Sequence, residues 1–523
     1  MLAIIQNSIF CKILMSIGRF IWKIWPSSLL ARIIKSFQLA YEGSRLKAIW
    51  DAFCNADDPA KLSWHAAFLR LLQRFFSWVG IALKNSLLYK IFGKLDIRHW
   101  IFLIFAFYLP VEYALRDLLG LGLASYWEEL LILITILVVI WRACAGTDKG
   151  AFTRSSSVEV AILLFMAVGL LLMVITMPYP YIAVAGYRAQ VEYMVWFFLI
   201  LRLLDSKSDA KFLIYSFAAM VLLMSFHGIY QYIIAVPVPA GWMSSSEAAV
   251  RTRVFSITGS PNIFGSILIF AAPMFAALIY YLEKPWQKFA ALCLTGIVCL
   301  CDLFTFSKAS WLGLVAAVVI FAMFVDKRLL GLMAAGIAAI FVAFPSVTNR
   351  ITYIFTSDYA ERSAAAGRVM RWKAGMRLLT PENKWTGFGL GRFGGAVAMN
   401  NQVLEQNSAF SYFYMDNYYL KTLVEMGYIG LAFFVLLLAV LLICGLKAPN
   451  RAGAGYMIDR KKDPLIRNIG NDKLICVGVF CGLCAVLTHC FYENIFEEPY
   501  MMTYFWGLAA CLIYMGYFAK KEG

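Results

Sequence analysis

The stretch "MDNYYLKTLVEMGYIGLAFFVLLLAVLLICGL", Met415–Leu446, decides the fold class. A helix needs about 20 apolar residues to cross a bilayer core, and this run supplies them after a polar opening at Asp416 and Asn417. The opening follows the spacing Asp-Asn-x-x-Leu-x6-Gly and then continues into the span. An acid at the first turn of a helix is favoured by the helix dipole whatever its function. A carboxylate where a chain dives into a membrane is also placed to take a proton from a hydroxyl. The residues alone leave both roles open.

Similar apolar windows recur through most of the chain after Trp100. The 523 residues are 62% hydrophobic and 15% charged, with a mean hydropathy of +0.72, whereas a soluble domain is nearer half apolar and a quarter charged. This is the balance of an all-α, polytopic integral membrane protein. The amino end is basic throughout and shows no short apolar core with a small-residue cleavage site, so the first span is expected to do the targeting. The twelve cysteines fall mostly inside apolar runs with no repeated spacing, which reads as small packing residues rather than a disulfide framework or a metal site.

About twelve candidate spans follow Trp100, at roughly 100–117, 125–142, 157–177, 189–204, 212–236, 261–282, 287–303, 308–325, 329–345, 416–446, 473–490 and 500–519. Short connections rich in Lys and Arg, such as Arg142/Lys149/Arg154 and Arg202/Lys207/Lys211, alternate with poorer ones. The positive-inside rule then places both termini in the cytoplasm. One large extracytoplasmic loop, about 346–415, is expected between spans 9 and 10. It carries eight Lys and Arg against four Asp and Glu, a balance suited to an anionic ligand held near the membrane, since the planar fork of arginine matches phosphate. Residues 1–99 stand apart as a basic, amphipathic N-terminal extension, cytoplasmic or interfacial, in which Lys12, Arg19 and Lys23 alternate with Phe, Ile and Trp. That pattern fits helices lying on an anionic lipid surface.

Several shorter stretches carry candidate chemistry. "GFGLGRFGG", Gly387–Gly395, contains a G-x-G-x-x-G, but a dinucleotide site needs a strand before it and a helix after it. In a helical membrane protein it reads as a tight turn that lets backbone approach a ligand or another loop. "RTRVFSITGSPNIFGS" places Arg251 and Arg253 before a helix start at Pro261 and Asn262, and helix starts hold anions. Lys308 in "FSKASWLGL" stands at the mouth of a span. "THCFYENIFEEPY" brings His489 and Asn494 to the end of another, followed by Glu497 and Glu498.

Together these residues resemble the O-antigen ligase family, bacterial membrane proteins that ligate or polymerise surface polysaccharide. The resemblance covers roughly Trp100 to Phe518 and rests on "RVFSITGSPNIFG", "TFSKASWLGL", "GRVMRWKAGMRLLTPENKWTGFGLGRF" and "DNYYLKTLVEMGYIG", in the family's order around one large loop. It implies an O-antigen ligase-like membrane domain over 100–523. It also implies a metal-independent, inverting glycosyltransferase without cofactor, located in the bacterial cytoplasmic membrane with its active site on the outer face. The implied partners are a glycan donor on undecaprenyl diphosphate, a lipid-core or glycan acceptor, and membrane lipids, with no nucleic acid. On this resemblance Asp416 and Arg368 are the catalytic candidates. Arg251, Arg253, Lys308 and Arg371 are candidates for binding the diphosphate, and Asn262, Gly387, Gly389, Gly391, Asn417 and His489 for supporting the loop and its turns.

Two positions depart from the family's pattern. Asp416 stands where ligases have His before Asn, and Lys308 follows Ser307 where Arg is common. A carboxylate remains a base, though a weaker one, and lysine keeps the charge without the bidentate fork. Two other classes stay open at this point: a lipid-linked glycan transporter or flippase, and a noncatalytic component of a polysaccharide assembly. The absence of an evident internal repeat argues against the former.

Overall fold

The computed structural model describes residues 96–120, 126–148, 150–177, 179–237, 252–343, 345–358, 360–361, 367–402, 414–453 and 472–519. The expected N-terminal extension, apart from its last four residues, and Arg251 lie outside the described residues.

The regular secondary structure of the described residues is all helical, without strands. In chain order the α-helices are α1 Ile97–Ala106, α2 Tyr108–Tyr113, α3 Trp127–Cys144, α4 Ser157–Ile175, α5 Pro180–Val191, α6 Val195–Leu203 and α7 Lys207–Ile233. Then come α8 Pro261–Tyr281, α9 Pro285–Thr305, α10 Lys308–Phe324, α11 Arg328–Ala343, α12 Pro345–Thr352, α13 Arg368–Arg377 and α14 Ala396–Asn401. The last three are α15 Tyr418–Ala452, α16 Asp472–His489 and α17 Pro499–Ile513.

Seven of these are long and apolar enough to cross a membrane: α4, α7, α8, α9, α15, α16, and α17 with its continuation to Phe518. They match seven of the twelve expected spans. The other five take different forms. The first is divided between α1 and α2, and α3 carries Glu128, Glu129 and Arg142. The span expected at 189–204 is interrupted by a 3-10 turn at Glu192–Met194, while α10 and α11 are 17 and 16 residues long. Hydropathy averages over such interruptions, so the sequence could not distinguish them from clean spans.

Local chemistry explains the helix starts. Ser156 with Glu159 and Ser206 with Asp209 form reciprocal capping boxes at α4 and α7, each satisfying free N–H groups of the first turn. Ser260 caps α8 ahead of Pro261, Ser307 caps α10, and Asn417 caps α15.

At the centre, α8 packs on α16 through glycines. A Cβ at Gly478 would sit 2.9 Å from the Met274 backbone, and one at Gly482 would collide with the Phe270 carbonyl. Small residues allow this approach, which is how helices associate where lipid removes the hydrophobic drive. The outer faces stay apolar: Val160, Leu163, Leu171 and Val174 of α4 and Val435, Leu436 and Ile443 of α15 are exposed, as a lipid-facing surface requires.

Many basic residues of the short connections are held in ion pairs at one end of the bundle. Arg98 and Arg142 both bind Asp205, at 2.8 and 2.6 Å. Arg202 binds Glu159, and Lys207 and Lys211 bind Asp472 at 3.0 and 2.6 Å. The starts of α8, α10, α13 and α15 meet the end of α16 away from this cluster, and the candidate site lies there.

Candidate functional site

The site begins with an extended segment ahead of α8. Gln231 of α7 accepts from the Phe255 and Ser256 backbone N–H groups at 3.1 and 2.7 Å, and Val254 N–H donates to the Phe304 carbonyl at 3.1 Å. These bonds aim Arg253 inward, where only 5% of it is exposed. Its Nε donates to the Thr305 carbonyl at 3.0 Å and its Nη2 to Asn262 Oδ1 at 2.9 Å. The Asn262 amide then donates to Glu493 Oε2 at 2.6 Å.

From Glu493 the chain of polar contacts continues through α13. Arg368 Nη2 lies 3.8 Å from Glu493 Oε2, and its Nε lies 3.8 Å from Asp416 Oδ2. Arg371, one turn further along α13, makes a short ion pair with the same Asp416 oxygen. Asp416 adopts a left-handed backbone, φ 51°, uncommon for a residue other than glycine, and Asn417 beside it accepts from Leu420 N–H at 3.0 Å to start α15. The result is one continuous line, Arg253–Asn262–Glu493–Arg368–Asp416–Arg371, drawn from five elements.

Its charge is unbalanced in favour of cations, with three guanidinium groups against two carboxylates. Asn262, Arg368 and Asn417 also stand at the first turns or caps of α8, α13 and α15, whose free N–H groups and dipoles add positive potential. Burial raises the Asp416 carboxyl above the usual carboxylate range despite its two arginines. Glu493 is pushed up to about 7, by burial first and by the neighbouring Asp416 charge second.

Beside this line lies a cavity of about 740 Å³ between α9, α10, α11 and α12. Its walls are mostly aliphatic, including Leu303, Leu312, Val315, Ile337 and Ile340, while Asp302, Lys308, Arg368 and Tyr492 supply polar groups, the two cations outnumbering the one acid. The Lys308 ammonium stands 5.7 Å from the centre of the Tyr353 ring. The shape and chemistry suit an amphiphile whose apolar part is bulky and whose polar part is anionic.

The glycine-rich turn does something its sequence did not disclose. α15 is broken at Gly427, φ 66° and ψ −170°, which removes the helical partners of four backbone groups. The turn replaces them: Phe388 and Gly389 N–H donate to the Val424 and Glu425 carbonyls at 2.7 and 3.1 Å. In return Tyr428 and Ile429 N–H donate to the Lys384 and Trp385 carbonyls at 2.9 and 3.2 Å. Gly387, φ 90°, lies so close that a Cβ would strike the Glu425 carbonyl. Gly391 meets Gly186 of α5 backbone to backbone, fixing the far side of the turn. Broken helices are tolerated near a membrane only where other groups satisfy the backbone in this way.

A buried ion triad secures the same loop. Lys421 binds Glu425 at 2.8 Å and Glu497 at 2.7 Å, and Glu497 accepts from Ala396 N–H at 3.0 Å. Asn494 donates to the Gly394 carbonyl at 2.7 Å. His489 is fully buried and bonds Ser266 through Nδ1 at 2.8 Å, a placement on the α8–α16 seam.

The structure thus brings Asp416, Arg368, Arg371, Arg253 and Asn262 together, with Lys308 on the adjoining cavity wall. Gly387, Gly389 and Gly391 are in the supporting turn and Asn417 is in the cap. Sequence reasoning missed Glu493 and the Lys421–Glu425 pair. Glu493 stands in the quoted "THCFYENIFEEPY", where a carboxylate three residues past Cys490, the end of the expected span, was the available signal. Lys421 and Glu425 are an i, i+4 pair of opposite charge inside an apolar run, which is costly to bury unless partnered.

Apolar helices of membrane length, with arginines and carboxylates gathered where several helices begin, define a multi-pass membrane protein with a polar site at one end of its bundle. Residues 291–435 match the family model described as O-Antigen ligase. This match bears out the resemblance seen in the sequence and supports a surface-polysaccharide glycosyltransferase-like role. The matched span contains Lys308, Arg368, Arg371, the glycine turn and Asp416, while Arg253, Asn262 and Glu493 lie outside it. No curated protein matches the chain.

Proposed function

We propose that this protein transfers or polymerises a glycan from undecaprenyl diphosphate onto an acceptor hydroxyl, on the outer face of the bacterial cytoplasmic membrane. The observation that carries the reading is the apolar cavity of about 740 Å³ that shares Arg368 with the line of charged groups. The polyprenyl chain occupies the aliphatic space, and the diphosphate meets Lys308, Arg368 and Arg371 at its end. When the anomeric C–O bond breaks, charge develops on the leaving diphosphate, and fixed cations in a site poor in water stabilise it without reorganising. The acceptor approaches from the carboxylate side, opposite the leaving group, so the anomeric centre inverts. Arg253 acts one step back, holding Asn262 in place.

The test is transfer by purified protein in lipid nanodiscs, supplied with an undecaprenyl-diphosphate glycan with and without a lipid-core acceptor. Product that requires the core and is lost in Arg368→Ala identifies a ligase. Lengthened lipid-linked chains without the core identify a polymerase. Tight donor binding without product under either condition overturns the enzymatic reading.

A further inference from the structure

We propose that Glu493 takes the proton from the acceptor hydroxyl and that Asp416 is a positioning residue for Arg368 and Arg371. The proposal rests on the glycosyl-transfer reading above and assigns a role inside that site.

Two carboxylates flank Arg368, and their partners differ. Asp416 Oδ2 is in a short ion pair with Arg371 and stands 3.8 Å from Arg368. The guanidinium on that oxygen favours the charged form of the carboxylate and so weakens it as a proton acceptor. Its left-handed backbone, φ 51°, further fixes it to this geometry. Among the described residues Glu493 faces one guanidinium, at 3.8 Å, and its close partner at 2.6 Å is the neutral amide of Asn262. Its side chain keeps 14% of its surface exposed, and its neighbour Tyr492 lines the donor cavity.

The support behind Glu493 has the form expected for an oriented base. Arg253 holds the Asn262 carbonyl at 2.9 Å, and that bond turns the Asn262 amide toward Glu493. A reacting group held by a second group, itself held by a third, is the general arrangement of activated proton acceptors. The other charged or titratable groups around it are Asp416 with Arg371 behind it, Arg368 from α13, and His489 and Cys490 of its own segment. Among these the negative Asp416 favours protonation of Glu493 and Arg368 opposes it.

The acceptor oxygen forms its bond to the anomeric carbon as its proton passes to a Glu493 carboxylate oxygen. The anomeric carbon–oxygen bond breaks, and its electron pair stays on the diphosphate, which is neutralised by the cations at the cavity end. Glu493 then returns its proton to water, so one proton is released for each glycosidic bond formed.

The experiment measures kcat and KM against pH for the full-length protein and for Glu493→Gln, Glu493→Ala and Asp416→Asn, with undecaprenyl-diphosphate glycan as donor. The wild type should lose kcat/KM below about pH 7, with donor still bound. Glu493→Gln should fall about 100-fold or more in kcat, the usual share of a general base, at an unchanged donor KM. Formate should restore part of the activity of Glu493→Ala, a response a merely structural carboxylate would not give. Asp416→Asn should raise the donor KM and move the acidic limb to lower pH, because removing the neighbouring charge lowers the proton affinity of Glu493. A Glu493→Gln protein that keeps more than a tenth of wild-type kcat overturns the proposal, as does an acidic limb that vanishes in Asp416→Asn but persists in Glu493→Gln. Absence of transfer by the wild type itself overturns both this assignment and the functional reading on which it rests.

Discussion

Replacing Gly387 by alanine tests the role of the glycine turn. Four backbone hydrogen bonds join the turn to the break in α15, at 2.7, 3.1, 2.9 and 3.2 Å. At about 0.5–1.5 kcal/mol net for each bond, roughly 2–6 kcal/mol depends on their register. A side chain at φ 90° adds roughly 1–2 kcal/mol of backbone strain, and its Cβ has no room beside the Glu425 carbonyl. Loss of half the exchange plus the strain gives about 3 kcal/mol, equivalent to roughly 100-fold in an opening equilibrium. Hydrogen exchange read by mass spectrometry on peptides containing Tyr428 and Ile429 is the direct assay, since those amides lose their acceptors when the turn shifts. Gly296→Ala is the control: nothing lies near its Cβ, and alanine is the better helix former by about 0.5–1 kcal/mol. Wild-type exchange at Tyr428 and Ile429 together with wild-type transfer in Gly387→Ala would mean that the turn does not hold the break in α15.

Other outcomes follow from the charged groups. Lys421→Ala leaves Glu425 and Glu497 buried without their cation, and should lower stability by about 3–5 kcal/mol, measurable as earlier labelling of buried cysteines such as Cys490 during heating. Lys308→Arg should keep transfer, and Lys308→Ala should raise the donor KM, because charge at the cavity end is what the position supplies. Glu493 is raised from 4.5 to about 7 in the folded protein, so the native state holds a proton that the unfolded state has lost. Stability should therefore fall as pH rises between those values, and Glu493→Gln should flatten that slope in thermal melts. Arg253→Ala should lower kcat more than it raises the donor KM, since its fork holds Asn262, and steady-state kinetics separates the two.

Much of this site was legible because its residues sit in short polar stretches at the ends of apolar runs. Asp416 and Asn262 stand out on that ground, Arg368 and Arg371 stand out on the resemblance to the ligase family, and the structure joins all four. Glu493 did not, since a single acid after a span resembles any interfacial residue until Asn262 and Arg368 are seen against it. The turn at Gly387–Gly391 was recognisable as a place for close backbone approach, but not its partner: the break at Gly427 lies within an otherwise apolar run. Hydropathy located α4, α7, α8, α9, α15, α16 and α17, and it failed at the 3-10 turn of Glu192–Met194 because the interruption is conformational rather than compositional.

The break in α15 also bears on how the protein is made. Residues 428–452 alone form roughly 25 residues of helix, about 37 Å, enough to cross the hydrocarbon core of about 30 Å. The part from Tyr418 to Met426, with Lys421 and Glu425, is therefore surplus to spanning. It can wait in the headgroup region, where water serves its open carbonyls, until Glu497 arrives and the glycine turn, already made, docks on it. Glu497 comes from the segment after α16, so the loop and the start of α15 cannot be finished when the ribosome first delivers them. Biogenesis must hold this face of the protein unassembled until the last helices have entered the membrane. Truncation after α15 would then leave a stably inserted chain whose site has never formed.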